Sequence, residues 1–162
     1  MSDRTLTVTW QDPTALAERA RGMAGRAFLE AIRDGQLPPA PIQQLLGFVL
    51  TEVDEGRVVF VAEPGEQHYN PIGVVHGGVA ATLLDSAMGA AVHSTLPEGS
   101  GYTTLETSFN LVRPISTTSG RIETEGRVIH RGGRVATADG RVTRAEDGKL
   151  LAHGSSTCLI LG

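Results

Sequence analysis

Hydrophobic and polar positions change period along this chain, and the changes predict its elements. Leu16, Ala20, Met23, Ala27 and Ile32 recur at near-helical spacing. Asp12 can cap that helix, Pro13 suits its first turn, and Gly35 stops it. One helix is therefore predicted between Pro13 and Gly35. The segment "QLPPAPIQQ" follows and reads as a proline-rich linker. From Leu45 the pattern changes. "LLGFVLTEVDEGRVVFVAE" carries β-branched runs on either side of Asp54-Glu55-Gly56, which predicts a hairpin.

After His76 the period becomes helical again. Val79, Ala80, Ala81, Leu83, Leu84, Ala87, Met88, Ala90, Ala91 and Val92 cover nearly every face up to Leu96-Pro97. A helix that is apolar all round is buried on most sides. Four strand-like runs come next: "YTTLETSFNLVRP", "GRIETEGRVIHR", "RVATADGRVTR" and "LLAHGSSTCLILG". Strands linked by turns with one long helix predict an α+β fold, with an antiparallel sheet curved around that helix. Residues 1–44 form a helical extension and linker, and residues 45–162 the main domain.

Composition narrows the function classes. Apolar residues make up 40% and charged residues 20%, with a net charge of −4 and no basic run. Nucleic acid and anionic membrane surfaces are therefore not expected partners. No apolar run approaches the ~20 residues that span a bilayer, and "MSDRTLTVTW" lacks a signal-peptide pattern. Cys158 is the only cysteine, so no intrachain disulfide is possible and a cytoplasmic location is expected. It lies in an apolar strand and reads as packing. The five histidines show no zinc-ligand spacing, so no metal is expected.

One stretch does not fit a purely structural helix. A carboxylate, Asp85, interrupts the apolar run, and His76-Gly77-Gly78 opens it. The first N–H groups of a helix lack internal partners and sit in positive potential. Glycine there lets an oxygen approach, so Gly77 and Gly78 suit an oxyanion. An ionised acid among Leu, Ala and Met needs a polar cavity, a partner group or a substrate. His76 to Asp85 spans a rise of about 13 Å and about half a circle. If the helix terminus and the acid act on one group, the acid must come from a second copy, in a two-fold dimer with two composite sites. The structural alternatives are a His76 cap, a turn role for Asn70 before Pro71, and a hydrogen-bonded buried acid.

"NPIGVVHGGVAATLLD" resembles the signature of hotdog-fold thioesterases of the phenylacetic-acid-pathway (PaaI-like) group. The resemblance runs from Leu45 to Gly162 and includes the late "LVRPI". It implies a hotdog fold, a homodimer with one continuous double sheet, a homotetramer as the further assembly, and hydrolysis of an acyl-CoA thioester. No cofactor is implied beyond the coenzyme A of the substrate. Position by position, Gly77 would donate to the thioester carbonyl, and Asp85 of the opposite subunit would be nucleophile or general base. His76 would orient the thioester, and Asn70 would position the thioester or water. A hydroxyl on the following strand falls on Thr104, with Thr103 the alternative. In similar proteins the connection at "HRGGR" lies near the coenzyme, which brings in Arg131, Gly132, Gly133 and Arg134, and Arg113 is a further phosphate candidate. Two rival readings are a hotdog hydratase or dehydratase and a non-catalytic acyl-CoA-binding module.

Overall fold

The computed structural model describes residues 2–162. Helix α1 spans Pro13–Arg21, α2 Gly25–Arg33 and α3 Pro41–Leu46. Strands β1 (Phe48–Asp54) and β2 (Arg57–Ala62) precede the long helix α4 (Gly77–His93). Strands β3 (Gly101–Leu111), β4 (Ile122–Arg131), β5 (Val135–Arg144) and β6 (Leu150–Leu161) complete the chain. Six antiparallel strands form one sheet in the order β1-β2-β4-β5-β6-β3, and α4 lies in its concavity. This is the curved antiparallel sheet around one helix that the α+β pattern predicted, and the hotdog fold that the resemblance implied.

The single helix expected between Pro13 and Gly35 is two helices. Asp12 caps the first as anticipated, its carboxylate accepting from Thr14 N–H at 2.8 Å. The chain then breaks at Gly22 to Ala24. The cause is tertiary. Gly25 N–H donates to the Leu96 carbonyl at 3.0 Å, and its Cα rests against the His93 carbonyl with no room for a Cβ. The backbone must therefore turn to meet the end of α4, and a continuous helix could not do so. Beyond the break, α2 buries Phe28, Leu29 and Ala31 in the core, whereas α1 buries nothing. The proline-rich linker is also partly helical: Pro41 opens α3, and Gly47 closes it at φ +64°.

Two glycines set how deeply α4 seats. Val58, Gly126, Gly140 and Gly154 stand opposite one another across β2, β4, β5 and β6. A Cβ on Gly126 would strike the Ala87 carbonyl and lie 2.6 Å from Met88 N. One on Gly140 would lie 3.0 Å from both Leu84 Cδ2 and Met88 Cγ. Helix backbone and sheet backbone thus touch at Ala87, which is why Leu83, Leu84, Ala87, Met88, Ala91 and Val92 are almost wholly buried.

The helix is less uniformly enclosed than its composition suggests. Gly78, Ala81, Thr82, Asp85 and Ser86 form one stripe, three and four residues apart, that stays at least partly open. The stripe borders β3. That strand forms an edge of the sheet, bonded only to β6, and exposes Leu105, Phe109 and Leu111.

At the far end of α4, His93 packs between Phe28 and Tyr102, with ring centroids 5.6 Å apart in each case. Burial holds its imidazole below the ordinary 6.5, as it does for His68. Above 6.5 the rings are neutral in both folded and unfolded chains. Below it the unfolded chain takes up protons that the folded chain refuses, so stability falls with pH. The midpoint of thermal unfolding should therefore drop between about pH 7 and about pH 5, and His93→Leu should make the drop shallower. Parallel curves for the two proteins would acquit His93.

Candidate active site

His76 is the N-cap of α4. Its Nδ1 accepts from Gly78 N–H at 2.9 Å, and its carbonyl accepts from Val79 N–H at 2.9 Å. The N–H of Gly77, first in the helix, is left without a partner among the described residues. With Nδ1 accepting, a neutral His76 carries its proton on Nε2, which leaves Nε2–H as a free donor. Gly77 lines a cavity of about 320 Å³ with Asn70, Ile72, His76, Leu111 and Arg113 among the other walls. Gly77 with its unpartnered N–H, His76 and Arg113 thus line the same space.

The loop that carries His76 is tied down on both sides. His76 N–H donates to the His68 carbonyl and Val75 N–H to the Ile115 carbonyl, each at 2.8 Å. Asn70 shapes the turn. Its Oδ1 accepts from Ile72 N–H at 3.0 Å and Val74 N–H at 3.3 Å, and Gly73 follows at φ +85°. Its carbonyl end is therefore occupied by the loop, and only the side-chain N–H₂ can reach a ligand.

Asp85 lies two turns further along α4, half-buried at the open stripe. Eight residues of continuous helix from Gly77 carry it about 12 Å away. One carbonyl group cannot touch both within a single chain. Asp85 Oδ1 accepts from Thr107 Oγ1 at 3.1 Å. Burial, and then the Asp85 charge, push the nearby Tyr102 phenol above its ordinary range.

Thr107 was not anticipated. Thr104 faces the helix side opposite buried Cys158, and Thr107 does so opposite buried Ser156. Strict alternation from Thr104 would turn Glu106 inward and Thr107 outward. A bulge at Leu105 inserts one residue and reverses this. Nothing in "TTLETS" marks that bulge. Cys158 is fully buried, consistent with packing.

The arginines separate into two groups. Arg113 borders the cavity at the helix N-terminus and donates from Nη1 to the Leu150 carbonyl at 2.6 Å. Arg131 and Arg134 flank the exposed Gly132-Gly133 turn, closed by Gly132 N–H to the Val135 carbonyl at 2.8 Å. Arg131 shares a row with Ala136, Cys158 and Thr104, seven positions along β3 from Leu111. That is about 23 Å of strand, so one chain does not bring these arginines to its own Gly77. Among the described residues, no cluster of His, Cys, Asp and Glu could hold a metal ion, and no helix is long and apolar enough to cross a membrane.

The family model of the thioesterase superfamily matches residues 72–151, from the loop before α4 to the start of β6. The structure of a phenylacetic acid degradation-related protein from Ralstonia eutropha JMP134 superposes with a TM-score of 0.73 at 28% identity, covering 81% of this chain and 98% of that one. The family resemblance is to the thioesterase superfamily, in its PaaI-like hotdog group. Human acyl-coenzyme A thioesterase 13 is 28% identical to this hotdog chain over 116 residues, 71% of it and 81% of the human protein. F42H10.6 of Caenorhabditis elegans is 30% identical over 110 residues, 68% of this chain. The match spans 64% of the nematode protein, just under two thirds of its length.

Proposed function

We propose that the protein hydrolyses acyl-CoA thioesters as a homodimer whose sites draw on both copies. The observation that carries this reading is the arrangement on α4: a free Gly77 N–H in a cavity at one level and a hydroxyl-bonded Asp85 on an open stripe about 12 Å away. Two such helices packed antiparallel set each Asp85 beside the other copy's Gly77. The small residues Gly78, Ala81 and Thr82 allow that approach, and the unpaired edge of β3 would join its twin in the same operation. The likeness to human acyl-coenzyme A thioesterase 13 supports the substrate class.

In this reading the Gly77 N–H holds the thioester oxygen as it gains charge, a bond stronger in the transition state than in the ground state. The Nε2–H of His76 and the side-chain N–H₂ of Asn70 orient the thioester or the attacking water. Thr104 would add a hydroxyl on the helix side of β3. Asp85 either removes a proton from water or attacks the carbonyl carbon itself, and coenzyme A leaves as the thiol. Arg113 holds coenzyme phosphate at the cavity. The antiparallel pairing carries the Arg131–Arg134 turn of one copy toward the Arg113 end of the other.

Free-thiol titration against a panel of acyl-CoAs tests the proposal. Release of one thiol per thioester, by a protein that elutes as a dimer or larger, is the expected result. Saturable acyl-CoA binding without thiol release would overturn hydrolysis in favour of a binding module.

A further inference from the structure

The structure assigns Thr107 as a positioning residue that holds Asp85 in both of its protonation states, and so favours the general-base route over direct attack. This rests on Asp85 being the acid of thioester hydrolysis. The inference comes from counting hydrogens along a short chain of hydroxyls. Ser156 Oγ donates its only hydrogen to the Glu106 carbonyl at 3.0 Å, because a carbonyl can only accept. Toward its other neighbours, Ser156 is therefore an acceptor. Those neighbours are Thr107 Oγ1 at 3.5 Å and the Cys158 thiol at 3.8 Å. Thr107 also has a single hydrogen, and Asp85 Oδ1 lies 3.1 Å away.

Two arrangements follow. While Asp85 is ionised, the Thr107 hydrogen points at the carboxylate, the shorter and charge-assisted bond. When Asp85 has taken a proton from water, its own O–H donates to Thr107 Oγ1, and the Thr107 hydrogen swings to the waiting Ser156 oxygen. The hydroxide left behind attacks the thioester carbon, and the departing thiolate collects the proton that Asp85 took, which returns the acid to its ionised form. Each state of the acid thus keeps a partner. A nucleophilic carboxylate would need no such acceptor behind its donor.

Within one chain the surroundings leave this pair to govern the acid, and in the proposed dimer the other copy's α4 terminus, with its His76 and the Gly77 N–H, faces it as well. The titratable side chains on the inner faces of the flanking strands are Tyr102 on β3 and Cys158 on β6. The helix-facing residues of β1, β2, β4 and β5 are uncharged, among them Phe48, Val58, Phe60, Thr124, Ala138 and Val142. Helix α2 presents Phe28, and its Arg26 and Glu30 pair with each other at the surface. His93 stands two turns further along α4.

Steady-state kinetics of Thr107→Val and Thr107→Ser across pH test the assignment, with Asp85→Asn alongside. Thr107→Val should lose about tenfold or more in kcat, the share of a hydrogen bond to a charged group, with KM within about twofold. The acid limb of its kcat profile should move up by less than that factor implies, because Thr107 bonds the acid in both states and only the charge-assisted excess on the ionised form is lost. Thr107→Ser keeps the hydroxyl and should restore both. A Thr107→Val protein with wild-type kcat and pH profile would overturn the inference. So would a Thr107→Ser protein as slow as the valine variant, since that would make the methyl group the contributor. Wild-type turnover by Asp85→Asn would instead remove the acid assignment on which it rests.

Discussion

Asp85→Asn is expected to cut acyl-CoA hydrolysis by about 10²–10⁴-fold, the usual contribution of a positioned acid or base. Asparagine matches the shape of aspartate and still accepts from Thr107 Oγ1, so the fold and the dimer should persist. Only the charge and the proton-accepting capacity are removed. Undiminished turnover by this variant would end the proposed mechanism. The same variant also tests where the site is assembled. Gly77→Pro removes the one N–H that His76 leaves free. Proline is tolerated at the first position of a helix, and the extended His76 backbone, φ −60° and ψ 134°, suits a following proline. Its ring would press on Leu111 Cδ1, the free end of a flexible side chain. Each variant alone should be inactive. If each site takes Asp85 from one copy and Gly77 from the other, a hybrid dimer has one site with both defects and one intact. Random one-to-one exchange should then recover about a quarter of wild-type turnover. A site built within a single chain would recover none.

Gly126→Ala is expected to be the most destabilising small substitution in the sheet, by about 3 kcal/mol. The added methyl would meet the Ala87 carbonyl and Met88 N, which are backbone atoms of α4. Neither side can give way by changing a rotamer. The helix must lift off the sheet, and the burial of Leu84, Ala87 and Met88 would loosen with it. For a chain of this size the midpoint should fall by about 6–12 °C. Denaturant unfolding at fixed protein concentration checks this, with Gly101→Ala as control, because a Cβ on Gly101 meets nothing within 4 Å. Equal stability of the two variants would show that the contact at Ala87 is not the limit on how deeply the helix seats.

Much of the chain could be read from its residues because the signals are local. The hairpin at Asp54-Glu55-Gly56, the cap at Asp12, the start of α4 after His76 and the four late strands all depend on neighbours within a few positions. The separation of Gly77 from Asp85 also follows from helix geometry alone. Other features needed the assembled molecule. The break before Gly25 exists because the end of α4 occupies the space a continuous helix would cross. Strand β3 bonds to β6 and not to its successor β4, since the curved sheet closes over α4 from both sides. The bulge at Leu105, which decides that Thr107 reaches Asp85, lies in pairing between residues about fifty positions apart, as between Thr107 and Ser156. The sequence by itself determined the elements and the chemistry each could carry, because propensity, caps and side-chain period act over a turn or two. Only the tertiary structure decided which hydroxyl meets the acid and which arginine borders the cavity, because strand order and register are set by packing between residues far apart in the chain.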